Sequence, residues 1–271
     1  MEYKTLDRVE SAQLIECINK AFSDYAVKIC FDEISFEKYI IGSGVDLSLS
    51  FCAVHGSEIV GFILNSVNIY NGDKSAFIAG TGVIPAYRGK GIFSNLYQFS
   101  QTELGKKGVK RCYLEVLQQN DKAIRLYKSK GFTVSRELSV MQCRQPLKRD
   151  YNLKYQIIPL NQFDFSKFRQ LTIVSPSYEH CEQVINGRDS YCVALSESEK
   201  EFCIYDKENV SLIQLGYENL DGLQHLLSEI ISNYNVVTAK NIDLKFTEVV
   251  NMLHEIGFNE IVRQFEMAKE L

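Results

Sequence analysis

One stretch constrains the fold of this chain more than any other: Val83-Ile84-Pro85-Ala86-Tyr87-Arg88-Gly89-Lys90-Gly91-Ile92-Phe93. A β-rich run ends at Pro85, a short basic turn with two glycines follows, and Ile92, Leu96, Phe99 and Leu104 then recur at helical spacing. A strand that passes through such a turn into a helix leaves the first helical amides without intrachain partners. Those amides and the helix dipole favour an anion such as a diphosphate. Gly89 and Gly91 let a ligand approach the backbone, and Arg88 and Lys90 add positive charge. The turn alone is also what a tight connection looks like. It is neither the nucleoside-triphosphate loop, which needs Gly-Lys-Ser/Thr after four intervening residues, nor the dinucleotide fingerprint G-x-G-x-x-G.

The next segments narrow the choice. Arg111–Leu117 reads as a strand, and Asn120–Lys130 as a helix with Ala123, Leu126 and Tyr127 on one face, closed by Gly131-Phe132. A helix bridges the two strands, so they should lie parallel in a right-handed crossover. The basic glycine turn and the spacing Asn120-x-x-Ala123-x-x-x-Tyr127-x-x-x-Gly131-Phe132 together resemble the GNAT superfamily of N-acetyltransferases, over roughly residues 50–140.

The resemblance implies a mixed α/β (α+β) fold, a mixed sheet flanked by helices, and acetyl-coenzyme A as cosubstrate. It implies cofactor contacts from Val83, Ile84, Arg88, Gly89, Lys90, Gly91, Ile92, Phe93 and Ser94, with Asn120 and Ala123 along the pantetheine arm. Phe93 departs from the family's small residue: directed away it leaves only its N–H in play, directed inward it blocks coenzyme A. In the resembling family the amine attacks the thioester directly, a backbone N–H at Val83 contacts the thioester carbonyl, and the motif tyrosine, here Tyr127, protonates the departing thiolate. A phenol, which ordinarily titrates at about 10, holds that proton at neutral pH. Glu115 is a candidate general base, although the alternation Tyr113, Glu115, Leu117 could equally place it on a structural face.

Asp7 with Glu10 could cap a helix running to about Phe22, and a second short helix is expected around Ser35–Ile41. In proteins similar to this one the loop between such helices borders the acceptor, which makes Asp24, Tyr25, Phe31, Asp32 and Glu33 candidates for contacting it. Solvated loop acids and core aromatics are the alternative. Phe51–Val54 and Ile59–Tyr70 read as strands, and Asn71-Gly72-Asp73 as a hairpin turn. Gly80 and Gly82 in the strand Ser75–Ile84 suggest a bulge or a close ligand.

A length of 271 residues is comfortable for two domains. The linker-like Pro146–Asp150 divides residues 1–147, the expected catalytic domain, from residues 151–271. The second part echoes the first: a hairpin Phe202–Tyr205 and Ser211–Tyr217, then helix, strand, helix, and Gly257-Phe258 before a final strand. It lacks the basic turn, having Glu218-Asn219-Leu220-Asp221 instead, and no tyrosine matches Tyr127. A degenerate, non-catalytic repeat is expected.

A net charge of -4 and no basic run interleaved with aromatics argue against a nucleic-acid surface. No stretch approaches about 20 apolar residues, so no membrane partner is expected and a cytoplasmic location is. Eight singly spaced cysteines read as buried thiols, and four histidines without ligand spacing suggest no metal. The expectation is an N-acetyltransferase acting on a small-molecule amine or an exposed amino group. The alternative is a catalytically silent acyl-coenzyme-A-binding module, and a homodimer is left open.

Overall fold

The structure, a computed structural model, describes residues 1–24, 29–146, 151 and 153–271. Residues 147–150 of the expected linker lie outside the described residues. Two compact units divide the chain: Met1–Leu114 with Ala268–Leu271, and Glu115–Met267.

The first unit contains β1 (Glu2–Thr5), α1 (Ser11–Ala21), α2 (Glu33–Gly42), β2 (Phe51–His55), β3 (Glu58–Tyr70), β4 (Asp73–Val83), α3 (Ile92–Lys106) and the start of β5 (Arg111–Leu117). The strands lie in chain order, antiparallel from β1 to β4 and parallel from β4 to β5. Both α1 and α3 pack on β3. That explains why Ile59–Ser66 is buried without alternation, as a strand covered on both faces must be. Asn71 and Gly72 turn the β3–β4 hairpin with φ of 50° and 84°, the pair of positive values a tight hairpin demands.

The helix start at α1 differs from expectation. Leu6–Arg8 forms a 3-10 turn, and Glu10, whose side chain makes no cap bond, occupies the cap position before Ser11. The cause is the strand β1, which the sequence pattern does not announce. Its pairing with β2 and the Leu6 N–H bond to Ser50 O hold the chain extended until the buried Leu6 is past.

The second unit contains α4 (Asp121–Ser129), β6 (Thr133–Arg144), β7 (Tyr155–Pro159), β8 (Thr172–Ile173), α5 (Glu182–Ile185), β9 (Tyr191–Ser196), β10 (Glu201–Asp206), β11 (Ser211–Tyr217), α6 (Leu220–Ile231), β12 (Val236–Asp243), α7 (Thr247–Glu255) and most of β13 (Phe258–Glu270). Its strand order is β13-β6-β12-β11-β10-β9-β7, with β8 on β11. One core joins Leu223, Leu226, Leu227, Val249, Met252 and Leu253 of α6 and α7 to the sheet. A second core is aromatic: Phe163 stacks on Phe168 at 4.6 Å and meets Phe202 at 5.0 Å.

Each unit repeats one feature. β4 pairs with β5 only over Ser75–Phe77, and β11 pairs with β12 only over Ser211–Leu212. In both, the earlier strand continues beyond the parallel pairing towards its helix.

Candidate active site

In the first unit, Ala79 is an extra residue in β4: Leu64 opposes Gly80 while Asn65 opposes Ile78. The Tyr39 hydroxyl donates to Ala79 O at 2.6 Å and holds this bulge. Beyond it, the Ile84 N–H bond to Val60 O makes Val60 and Ile84 a hydrogen-bonded pair, so Gly61 and Val83 form the non-hydrogen-bonded pair. The N–H and C=O of Val83 therefore face away from β3. A polar backbone edge is presented on the side where β5 has already parted from β4.

A 3-10 turn, Pro85–Tyr87, leads to Gly89 and Gly91 with φ of 76° and 75°. These left-handed conformations favour glycine, and a Cβ at either position would meet nothing within 4 Å. Gly91 is the residue before α3, whose first intrahelical bond runs from Asn95 N–H to Gly91 O. No side chain caps this helix among the described residues, and its first turn carries no acid. The Phe93 ring lies on Tyr97, one helical turn further on, with centroids 5.9 Å apart. It leaves the space over both glycines open. Lys90 places its ammonium over the Tyr87 ring, whose hydroxyl is 3.0 Å from His55 Nδ1.

Arg88 turns away from the helix. Its Nε donates to Val83 O, Nη2 to Ala21 O, and Nη1 and Nη2 meet the two oxygens of Asp24 at 2.6 and 2.8 Å. The Asp24 carboxylate raises the Arg88 pKa above its ordinary value. Asp24, an acceptor candidate in the sequence, is thus the partner of a cofactor-turn candidate. Tyr25 lies outside the described residues. Phe31 is clamped by Asn19, which donates to its carbonyl and accepts from its N–H at 2.8 Å each, and its ring meets Tyr39 at 5.1 Å. Asp32 caps α2 in a reciprocal bond with Ser35, which lowers its pKa, and Glu33 opens that helix exposed.

In the second unit, Asn120 Oδ1 caps α4 by accepting from Ala123 N–H at 3.1 Å. Tyr127 is 8% exposed, with its ring edge-on to Phe132 at 5.7 Å. Glu115 sits among polar side chains that sequence reasoning does not single out. Its Oε2 accepts from Asn241 Nδ2 at 2.8 Å and from Gln264 Nε2 at 3.2 Å. Asn241 Nδ2 also donates to Ser177 Oγ at 3.1 Å, and Gln264 Nε2 to Asn241 Oδ1 at 2.9 Å. Glu115 Oε1 is sealed from solvent with no hydrogen-bond partner among the described residues. Burial, reinforced by the charges of Glu179 and Glu266, pushes the Glu115 carboxyl up to about 8. The sequence signal for this cluster is Lys240-Asn241, a polar pair within an apolar strand.

The matching places in the second unit are filled. The edge of β11 is paired by β8, with Gly216 opposite Ile173 and Tyr217 opposite Thr172, and Val174 N–H donates to Leu215 O. The Phe202 ring presses on Gly216 so closely that a Cβ there would clash. Asn219 caps α6 by accepting from Asp221 N–H, and the buried Glu201 carboxyl lies against Gly222, where a Cβ would fall 2.5 Å from Oε1. Acceptors and an acid occupy the helix start that an anion would need.

Among the described residues no group of three or more His, Cys, Asp or Glu could hold a metal ion, and no helix is long and apolar enough to cross a membrane. All eight cysteines are free, and seven are buried.

The bulged strand β4 thus parts from its parallel neighbour and passes through a glycine turn, uncapped among the described residues, into α3. Residues 13–132 match the model of the Acetyltransferase (GNAT) family. No curated protein matches the sequence. Among solved structures, a GCN5-related N-acetyltransferase from Sphaerobacter thermophilus is 14% identical, with a TM-score of 0.67 over 99% of this chain and 95% of that one. A tandem GNAT protein from the clavulanic acid biosynthesis pathway is 13% identical, with a TM-score of 0.65 over 99% and 98%. A GCN5-related N-acetyltransferase from Anabaena variabilis is 15% identical, with a TM-score of 0.64 over 99% and 72%. At these identities the likeness is one of fold. Residues 13–132 are thus similar to the Acetyltransferase (GNAT) family, and the chain as a whole shares the fold of a tandem GNAT protein.

Proposed function

We propose that the chain transfers an acetyl group from acetyl-coenzyme A to the amine of a small molecule or to an exposed amino group, by direct attack in a ternary complex. The observation that carries this reading is the start of α3: two open left-handed glycines at the positive end of a helix that, among the described residues, has neither a side-chain cap nor an acid in its first turn, beside the edge of β4. When bound, acetyl-coenzyme A supplies the activated thioester.

Each candidate then has a task. Gly89 and Gly91 admit the diphosphate to the backbone of Ile92, Phe93 and Ser94, and Lys90 adds charge. Arg88 shapes the turn rather than gripping phosphate. Ile84 follows the end of the strand, and the Val83 N–H donates to the thioester carbonyl, a preorganised contact worth about 3 kcal/mol in the transition state. Asn120 and Ala123 border the pantetheine arm. Tyr127 gives its proton to the departing thiolate, and Glu115 is the candidate general base. A base with a pKa near 8 is matched to that task, because enough of it is ionised at neutral pH and it holds the proton well.

Residues 151–271 form, in this proposal, a non-catalytic repeat. The filled edge of β11 and Glu201 at the start of α6 support it. The free cysteines fit a reducing cytoplasm.

The test is acetyl-coenzyme A binding followed by an amine panel. The reading expects a raised melting temperature, hydrogen-exchange protection over residues 83–94, and acetylation of at least one amine. Absence of both stabilisation and protection would discard it. A silent acyl-coenzyme-A binder would show protection without turnover.

A further inference from the structure

Between Asp73 and Val83, Ala79 is the residue of β4 that opposes nothing in β3. Were it absent from the count, Val83 would stand opposite Val60 rather than Gly61. The Val60 carbonyl faces β4, where it accepts from the Ile84 N–H at 3.0 Å, so in an unbulged ladder that bond would go to the Val83 N–H. One inserted residue therefore turns the Val83 N–H out of the β3–β4 ladder.

The same insertion strands a carbonyl. Ala79 is the extra residue, which a bulge leaves unpaired, and a half-buried carbonyl without a donor destabilises the conformation that strands it. The Tyr39 hydroxyl is that donor, at 2.6 Å. Its ring lies 5.1 Å from that of Phe31, which Asn19 clamps by both backbone groups, so α2 delivers the hydroxyl in a fixed place. Glycine holds the register as well. At Gly82 a Cβ would fall 2.9 Å from the Ala21 Cβ, and the unbulged register would put Thr81 there.

We infer that Tyr39 is a positioning residue for the thioester: by holding Ala79 O it keeps the bulge, and through the bulge it keeps the Val83 N–H directed away from β3. The inference rests on the proposed role of that N–H as donor to the thioester carbonyl. Tyr39, Ala79 and Val83 all belong to the first unit. Because Gly82 still opposes the slipped register, loss of the hydroxyl loosens residues 79–83 rather than resetting them. The effect is therefore smaller than loss of the donor itself.

Tyr39→Phe tests this, because it keeps the ring on Phe31 and removes only the oxygen. The probe is acetyl-coenzyme A carrying 13C at the acetyl carbonyl, bound to the full-length chain. In wild type its carbonyl resonance should lie downfield of that of free acetyl-coenzyme A, and in Tyr39→Phe it should return towards the free position. With the amine that the panel identifies, kcat should fall about tenfold while KM for acetyl-coenzyme A stays the same. Asn19→Ala, which unclamps Phe31, should give the same direction with a smaller shift, and it serves where Tyr39→Phe does not fold. Thr81→Val is the control: it removes a hydroxyl of the same strand, one that donates to Phe62 O at 2.8 Å, and should lower the melting temperature without moving the resonance. A resonance that stays at the wild-type position in Tyr39→Phe, that moves equally in Thr81→Val, or that moves with kcat unchanged overturns the inference and leaves the acetyltransferase reading intact. A wild-type resonance no different from that of free acetyl-coenzyme A overturns the inference together with the role of Val83. Failure of acetyl-coenzyme A to bind wild type removes the underlying reading instead.

Discussion

The Arg88 guanidinium and the Asp24 carboxylate meet edge to edge, Nη1 to Oδ2 at 2.6 Å and Nη2 to Oδ1 at 2.8 Å. The pair ties the turn before α3 to the chain just after α1. Asp24→Asn should therefore raise KM for acetyl-coenzyme A about threefold, a modest effect because both groups are partly solvated. Arg88→Ala also loses the bonds to Val83 O and Ala21 O, and should raise it about tenfold. Steady-state kinetics with both substrates varied decides the matter: a change confined to KM for the amine would return Asp24 to the acceptor.

Gly91→Ala places a Cβ in open space but on a left-handed backbone, which costs about 1–2 kcal/mol. The melting temperature should fall by about 3–6 °C. Gly105→Ala, in the last turn of α3 with equal room and no positive φ, should stabilise by up to about 1 kcal/mol. Thermal unfolding of the two variants tests the contrast in sign.

Tyr127→Phe removes the hydroxyl and keeps the ring against Phe132. If the phenol protonates the thiolate, kcat should drop on the order of 100-fold while the Kd of acetyl-coenzyme A changes little. Calorimetry beside kinetics separates this from a packing defect, which would weaken both.

The pKa of Glu115, about 8, lies above the ordinary carboxylate value, so folding favours its protonated form. That contribution is complete below about pH 4.5, declines as pH rises, and is gone above about 8. Glu115→Gln mimics the neutral acid. Relative to wild type it should gain stability between about pH 5 and pH 9, as read by chemical denaturation at each pH, and its kcat should lose the rising limb near pH 8.

The filled helix start of the second unit predicts one acetyl-coenzyme A per chain. Isothermal titration giving two sites would contradict the roles assigned to β8, Phe202 and Glu201.

Local chemistry made much of this legible. Asn71-Gly72 announced its hairpin, and Gly91 its helix start. The apolar periodicity of α3 and the strand β5 were likewise readable from one segment at a time. What escaped was set at a distance. Glu2–Thr5 is too short and polar to declare itself a strand, and becomes one by pairing with β2. Arg88 reads as a phosphate ligand until Asp24, 64 residues away, claims its guanidinium. Glu115 was ambiguous because Asn241 and Gln264, which define its surroundings, lie 126 and 149 residues further on.

Ala268–Leu271 belong to the first unit: Leu271 N–H donates to Lys110 O, Glu270 meets Arg111, and the Lys269 ammonium lies over the Tyr97 ring. During synthesis, then, the first unit is complete only after the residues of the second have been made. The nascent first unit must wait, with part of its border unzipped, until residues 268–271 have cleared the ribosome, and a fragment stopping near residue 147 would keep that raw border for good.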